Sequence, residues 1–233
     1  MPYTDLFLDF DDTLYDTHGN AVLALAIVYE HYHLSDYFDR IEDFTVPYWR
    51  TNEQLWAQYA AGEIDRPYLI LERFRRPLSL GRGLDPTPEL CLEISDFFLD
   101  RCCEQTLIIP GAHELLRYLR QRGYRIHMTS NGFHEVQYKK LARVAMTDYF
   151  DTIILSEDAG HNKPSREFFD YAFRRSGADP ASTIMIGDNL MTDINGARLA
   201  GLPQIWFNPS RKPLADFPVT HVVATLAEIQ KIL

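Results

Sequence analysis

Leu6-Phe7-Leu8-Asp9-Phe10-Asp11-Asp12-Thr13 decides how the rest of the chain is read. Its first three residues form an apolar run of the length of a buried strand, and carboxylates and a hydroxyl follow at once. Asp9 and Asp11, two residues apart at a strand's end, repel each other and resist burial unless a cation joins them. The loop therefore calls for a divalent metal and a reaction at a phosphate-type group. The alternative, a pair of solvated loop acids, fits poorly with a strand that delivers them directly.

Outward from this loop the pattern turns helical. Residues 21–28 are an apolar run too long for a typical strand and rich in helix formers. Phe44, Tyr48, Leu55 and Tyr59 recur near helical spacing, residues 68–74 continue the pattern, and residues 89–103 follow Thr87-Pro88, a good helix entry. From Leu107-Ile108-Ile109-Pro110-Gly111 onward, strand and helix alternate: helices over 113–121, 133–144, 166–175 and 193–200, strands over 125–129, 152–155, 183–187, 204–207 and 221–224. The expected fold is α/β, a doubly wound, Rossmann-like parallel sheet split after its first strand by a helical insertion. Residues 1–16 and 106–233 would form the core and residues 17–105 the inserted domain.

In such sheets the ligand crevice lies beyond the carboxyl ends of the strands, so the polar residues behind each apolar run should converge. They are Asp9, Asp11 and Thr13; Ser130 and Asn131; Lys163, past a loop; and Asp188, with Asp193 five residues on. Three acids can hold a hard cation, Lys163 can offset the charge of a phosphoryl group and of Asp9, and Ser130 can donate to a phosphoryl oxygen. Asp9 is then placed to attack phosphorus and Asp11 to carry the proton. Magnesium suits the oxygen donors better than zinc, since no histidine or thiol pairs with them. Blander readings stay open beside these: Asp188 and Asp193 suit helix capping, and Ser130-Asn131-Gly132 suits a turn.

Composition narrows the partners. The chain has 233 residues and a formal net charge of -10, which argues against polymeric nucleic acid and leaves room for one small phosphorylated metabolite. Cys91, Cys102 and Cys103 match no zinc spacing and read as reduced thiols. With no leader pattern and no window as long as a membrane span, a cytoplasmic protein without a membrane partner is expected.

The ordered set of Asp9-Phe10-Asp11-Asp12-Thr13, Ser130, Lys163 and Gly187-Asp188 with Asp193 resembles the haloacid dehalogenase (HAD) superfamily over nearly the whole chain. That resemblance implies an aspartyl-phosphate on Asp9, with Asp11 protonating the leaving oxygen and later activating water. It implies magnesium held by Asp9, Asp188 and the main-chain carbonyl of Asp11, with Asp193 orienting Lys163 or the metal's waters. It also implies that Thr13, Ser130, Asn131 and Lys163 position the loop and the transferring group. The insertion is similar to the family's helical C1-type cap.

Asp11 selects within the family, because halide departure needs no acid there whereas an alkoxide leaving group does. A phosphomonoesterase is therefore expected rather than a dehalogenase. Residues 43–64 and Thr129-Ser130-Asn131-Gly132-Phe133 look like the pyrimidine 5'-nucleotidase branch. Trp49 and Trp56 would then stack on a base or pack as a helical stripe. Sugar-phosphate phosphatase, phosphomutase and, more remotely, a phospho-accepting signalling module are the alternatives. Asp12 stands where the family often has glycine, and His18, at the entry to the insertion, is a candidate for substrate contact or for a structural role.

Overall fold

The computed structural model describes residues 3–213 and 216–233. They form two compact units, one of the residues up to Asp16 with those from Leu107 onward, the other spanning Thr17–Thr106. Among the described residues no helix is long and apolar enough to cross a membrane.

The second unit is built from α1 (Thr17–His31), α2 (Ile41–Ala60), α3 (Arg66–Leu78) and α4 (Pro88–Glu104). Asp65 caps α3 by accepting the Tyr68 N–H at 2.9 Å, and Thr87 caps α4 with proline at its first position. Leu25, Val28, Phe44, Tyr48, Phe74, Ile94 and Phe98 close the interior between the helices. Trp49 packs half-buried against this core with its ring 4.2 Å from that of His18, and Trp56 meets Tyr59 edge-on. Both tryptophans thus take packing contacts within the unit. All three cysteines are free thiols and buried.

The first unit is a sheet of β1 (Asp5–Leu8), β2 (Arg125–Ser130), β3 (Thr152–Leu155), β4 (Thr183–Gly187), β5 (Gln204–Phe207) and β6 (His221–Val223). Every pairing is parallel, in the order β3-β2-β1-β4-β5-β6. The period of two sorts the strand residues. Leu6, Leu8, Ile126, Met128, Ile184 and Ile186 face α5 (Ala112–Gln121), α6 (His134–Arg143) and, near the chain's end, α10 (Leu226–Ile229). Phe7 and Met185 face the other way, toward the aromatic pair Phe168 and Phe169 of α8 (Arg166–Ser176). The short helices α7 (Ser156–Ala159) and α9 (Gly196–Leu199) complete the layers. Both faces are covered, so the strands read as continuous apolar runs.

One expected helix takes a different form. The pattern predicts one α-helix over residues 193–200; instead Leu190–Asn195 makes a π-type turn that passes into α9. The cause is Asn189, whose side-chain oxygen accepts the N–H groups of Met191 and Thr192 at 3.0 Å and starts the turn three residues early. Its main-chain carbonyl then receives both Asp193 and Ile194 N–H groups.

Candidate active site

Strand order reverses direction between β1 and β4, and in open parallel sheets that switch point is where a crevice forms. Asp9 leaves β1 there, its N–H donating to the Ile186 carbonyl at 2.9 Å, and Asp188 leaves β4 beside it. Thr13, fully buried, ties the two loops together. Its hydroxyl donates to Asp9 Oδ2 at 2.9 Å and accepts the Asp188 N–H at 3.1 Å. From β5, buried Trp206 donates its indole N–H to the Asp188 carbonyl at 2.9 Å.

Lys163 is the hub. Its ammonium, 2% exposed, lies 2.8 Å from Asp9 Oδ1, 2.7 Å from Asp193 Oδ1 and 2.8 Å from the Thr129 carbonyl. Three donors meet three acceptors, so the lysine serves the site as a fixed counter-charge and would reach a phosphoryl oxygen only by giving up one of these contacts. Asn131 holds it in register by a reciprocal pair: its amide donates to the Lys163 carbonyl at 2.9 Å, and its oxygen accepts the Lys163 N–H at 2.8 Å. Asp193 combines the two roles open to it. One oxygen meets Lys163, and the other accepts the Asn189 N–H at 3.1 Å at the start of the π-type turn. Gly187 makes room for it, since a Cβ there would lie 2.3 Å from Asp193 Oδ2.

Asp11 is held in a separate environment. Its Oδ1 lies 2.6 Å from Lys140 Nζ, and its Oδ2 accepts from the Gln137 amide, with the Ser130 hydroxyl at 3.4 Å. Ser130 in turn accepts the Gly132 N–H at 2.9 Å, so Ser130-Asn131-Gly132 is both a turn and part of the site. Gln137 and Lys140 are the residues that sequence reasoning missed. The available signal was two polar residues on the inward face of α6, interleaved with buried Val136 and Leu141. Asp12 adopts φ 56, the left-handed region that glycine occupies freely, which gives a backbone reason for glycine at this position in relatives of the motif.

Two acids at opposite ends of β1 show how environment sets charge. Asp5, at the far end of β1, is buried, but hydrogen bonds from His127, Thr4 and Arg125 overcome the desolvation and hold its carboxyl below the usual range. At Asp9 burial is again the largest influence, and the charge of Asp193 adds to it. Lys163 offsets only part, so the carboxyl is pushed up to about 7. Asp188 is likewise held well above the ordinary range, by burial first, then by Asp9, Asp193 and Asp12. Lys163 shows the converse: burial opposes its charge, yet Asp193 and Asp9 keep the ammonium above the usual lysine range.

Oxygen atoms of Asp9, Asp188 and Asp193 all lie within 4.8 Å of one another. A trio of mutually repelling carboxylates without histidine or thiol fits a hard divalent cation that takes oxygen ligands. The resemblance assigns the metal to Asp9, Asp11 and Asp188. The Asp11 carboxylate is drawn instead to Lys140 and Gln137, leaving its main-chain carbonyl as the donor implied for it, while the Asp193 carboxylate joins Asp9 and Asp188.

Acids arranged in this way at the switch point of a parallel sheet suit hydrolytic chemistry. The chain belongs to the haloacid dehalogenase-like hydrolases, whose family model matches residues 6–201. It is 32% identical over 233 residues to the HAD-hydrolase YfnB of Bacillus subtilis, covering 99% of this chain and 95% of that one. A crystal structure of YfnB bound to magnesium superposes with a TM-score of 0.89 at 30% identity, over 100% of this chain and 99% of that one. The pyrimidine 5'-nucleotidase YjjG of Escherichia coli is 29% identical over 235 residues, with 100% and 99% covered. PynA of Streptococcus pneumoniae, also a pyrimidine 5'-nucleotidase, is 30% identical over 210 residues, with 90% and 85% covered.

Proposed function

We propose that the protein is a magnesium-dependent phosphomonoesterase that works through an aspartyl-phosphate on Asp9 and prefers pyrimidine nucleoside 5'-monophosphates. One observation carries this reading: two carboxylates of a single loop occupy opposed environments. Asp9 is buried beside Asp188 and Asp193 and shares Lys163 with Asp193, whereas Asp11 is held apart by Lys140 and Gln137. With separate partners, one loop supplies a nucleophile beside the acids that fit a cation and, two residues on, a distinct proton carrier.

In the first half-reaction an Asp9 oxygen forms a bond to phosphorus as the bond to the ester oxygen breaks. The electron pair goes to that oxygen, which takes a proton from the Asp11 carboxyl. In the second half, Asp11 takes a proton from a water whose oxygen attacks phosphorus, and the Asp9 carboxylate departs. Lys163 and Thr13 keep Asp9 aimed throughout, and the Ser130 hydroxyl, 3.4 Å from Asp11 Oδ2, is a donor for a phosphoryl oxygen. A magnesium ion, held by Asp9 and Asp188 with Asp193 close by, would neutralise phosphoryl charge.

The substrate class draws on the names of YjjG and PynA and on the likeness of residues 43–64 to that branch. Phosphate release from a panel of nucleotides and sugar phosphates, with and without magnesium, tests it. Uridine and thymidine monophosphates should lead in kcat/KM, and chelation should abolish turnover. A ranking led by sugar phosphates would remove the nucleotidase assignment, and full activity of Asp9→Asn would remove the mechanism.

A further inference from the structure

Lys140 and Gln137 have no part in the expectations drawn from the motifs, yet α6 sends both to the same carboxylate. The Lys140 ammonium lies 2.6 Å from Asp11 Oδ1 and 5.0 Å from the centre of the Tyr15 ring, and the residue is only 6% exposed. Tyr15 belongs to the same loop as Asp11, since its carbonyl accepts the Asp12 N–H at 2.8 Å. Gln137, fully buried, spends both amide hydrogens on the site, one on Asp11 Oδ2 and one on the Ser130 hydroxyl at 3.0 Å. Among the described residues its own oxygen meets no hydrogen-bond partner, a cost that the contacts of its nitrogen offset. Gly132 is shaped around it: a Cβ there would lie 1.7 Å from the Gln137 nitrogen.

From this we infer that Lys140 and Gln137 are positioning residues that clamp Asp11, one to each carboxylate oxygen, in the pose from which it delivers a proton to the leaving group. The inference rests on the phosphomonoesterase reading. Its chemical consequence is selective. An alkoxide needs the proton to leave, whereas p-nitrophenolate is a good leaving group without it, so a misplaced Asp11 costs more on an alkyl ester than on an aryl ester. A helix face that merely packed would lower both alike.

The test compares kcat/KM, which reports the step that expels the leaving group, for the parent and Lys140→Met. The substrates are p-nitrophenyl phosphate and the alkyl ester that the parent turns over best. Loss should be about 100-fold on the alkyl ester and at least about tenfold smaller on the aryl ester, and Lys140→Arg should recover most of the difference. Equal losses, no loss or a gain would overturn the clamp. Gln137→Met carries the same expectation and takes its place if Lys140→Met does not fold. A parent inactive on every ester would refute the phosphomonoesterase reading instead. The crystal structure of Lys140→Met then decides the clamp by itself, since an Asp11 carboxylate displaced from its place supports it and an unmoved one overturns it.

Discussion

Replacing Lys163 with methionine removes the cation that buried Asp9 and Asp193 share. The ammonium sits 2.8 Å from Asp9 and 2.7 Å from Asp193, and these two side chains are 8% and 1% exposed. Breaking one side of a buried pair leaves an uncompensated charge and costs about 3–5 kcal/mol. For a chain of this size that corresponds to a fall in Tm on the order of 10 °C. The loss depends on pH in a defined direction. The Asp9 carboxyl, already pushed up to about 7 with the lysine in place, rises further without it. A carboxyl raised in the folded state binds its proton more tightly there than in the unfolded chain, so its contribution is present at low pH and lost as pH rises through the folded value. Calorimetry in chelator should therefore find the full deficit at pH 8 and a smaller one at pH 5.5. Adding Asp193→Asn should restore part of the stability, a coupling of about 1–3 kcal/mol. A Lys163→Met protein within about 1 kcal/mol of the parent at pH 8 would refute the idea that this lysine holds the acids together.

Three further outcomes follow from the same geometry. Magnesium should raise Tm more at pH 8 than at pH 5.5, because at the lower pH the raised Asp9 and Asp188 carboxyls hold protons that a cation must displace; equal shifts would count against the acid trio as the cation's site. Gly187→Ala should destabilise the protein by about 1–3 kcal/mol and weaken magnesium binding in titration calorimetry, since the new methyl displaces Asp193. Asp12→Gly should be neutral or stabilising by up to about 1 kcal/mol in chelator, because it relieves a left-handed backbone and removes a charge that acts on Asp188; a clear loss would mean that the Asp12 carboxylate makes contacts outweighing both.

Much of the fold could be read from the chain because parallel strands buried on both faces are short apolar runs with little ambiguity. Residues 152–155, 183–187 and 204–207 are strands over the spans expected from that pattern alone. The motif residues come together because they lie at or beyond the carboxyl ends of such strands, Lys163 past α7, and topology does the rest. What escaped was information that the period of two does not carry. Asn189, which begins the π-type turn, is one polar residue in a loop that already holds Asp188, and nothing local marks it as the cap. Gln137 and Lys140 look like ordinary polar positions until α6 is placed with its inner face toward Asp11. The left-handed Asp12 and the tight approach of Asp193 to Gly187 are three-dimensional constraints, legible in the sequence only as one unexpected acid and one glycine.

The most direct test asks where the phosphoryl group goes. Protein mixed with a mononucleotide and magnesium, quenched within one turnover and reduced with borohydride, should yield homoserine at position 9 in the peptide that carries the motif loop, as reduction of an acyl phosphate requires. An unmodified aspartate at that position, with phosphate already released, would contradict a covalent route through Asp9.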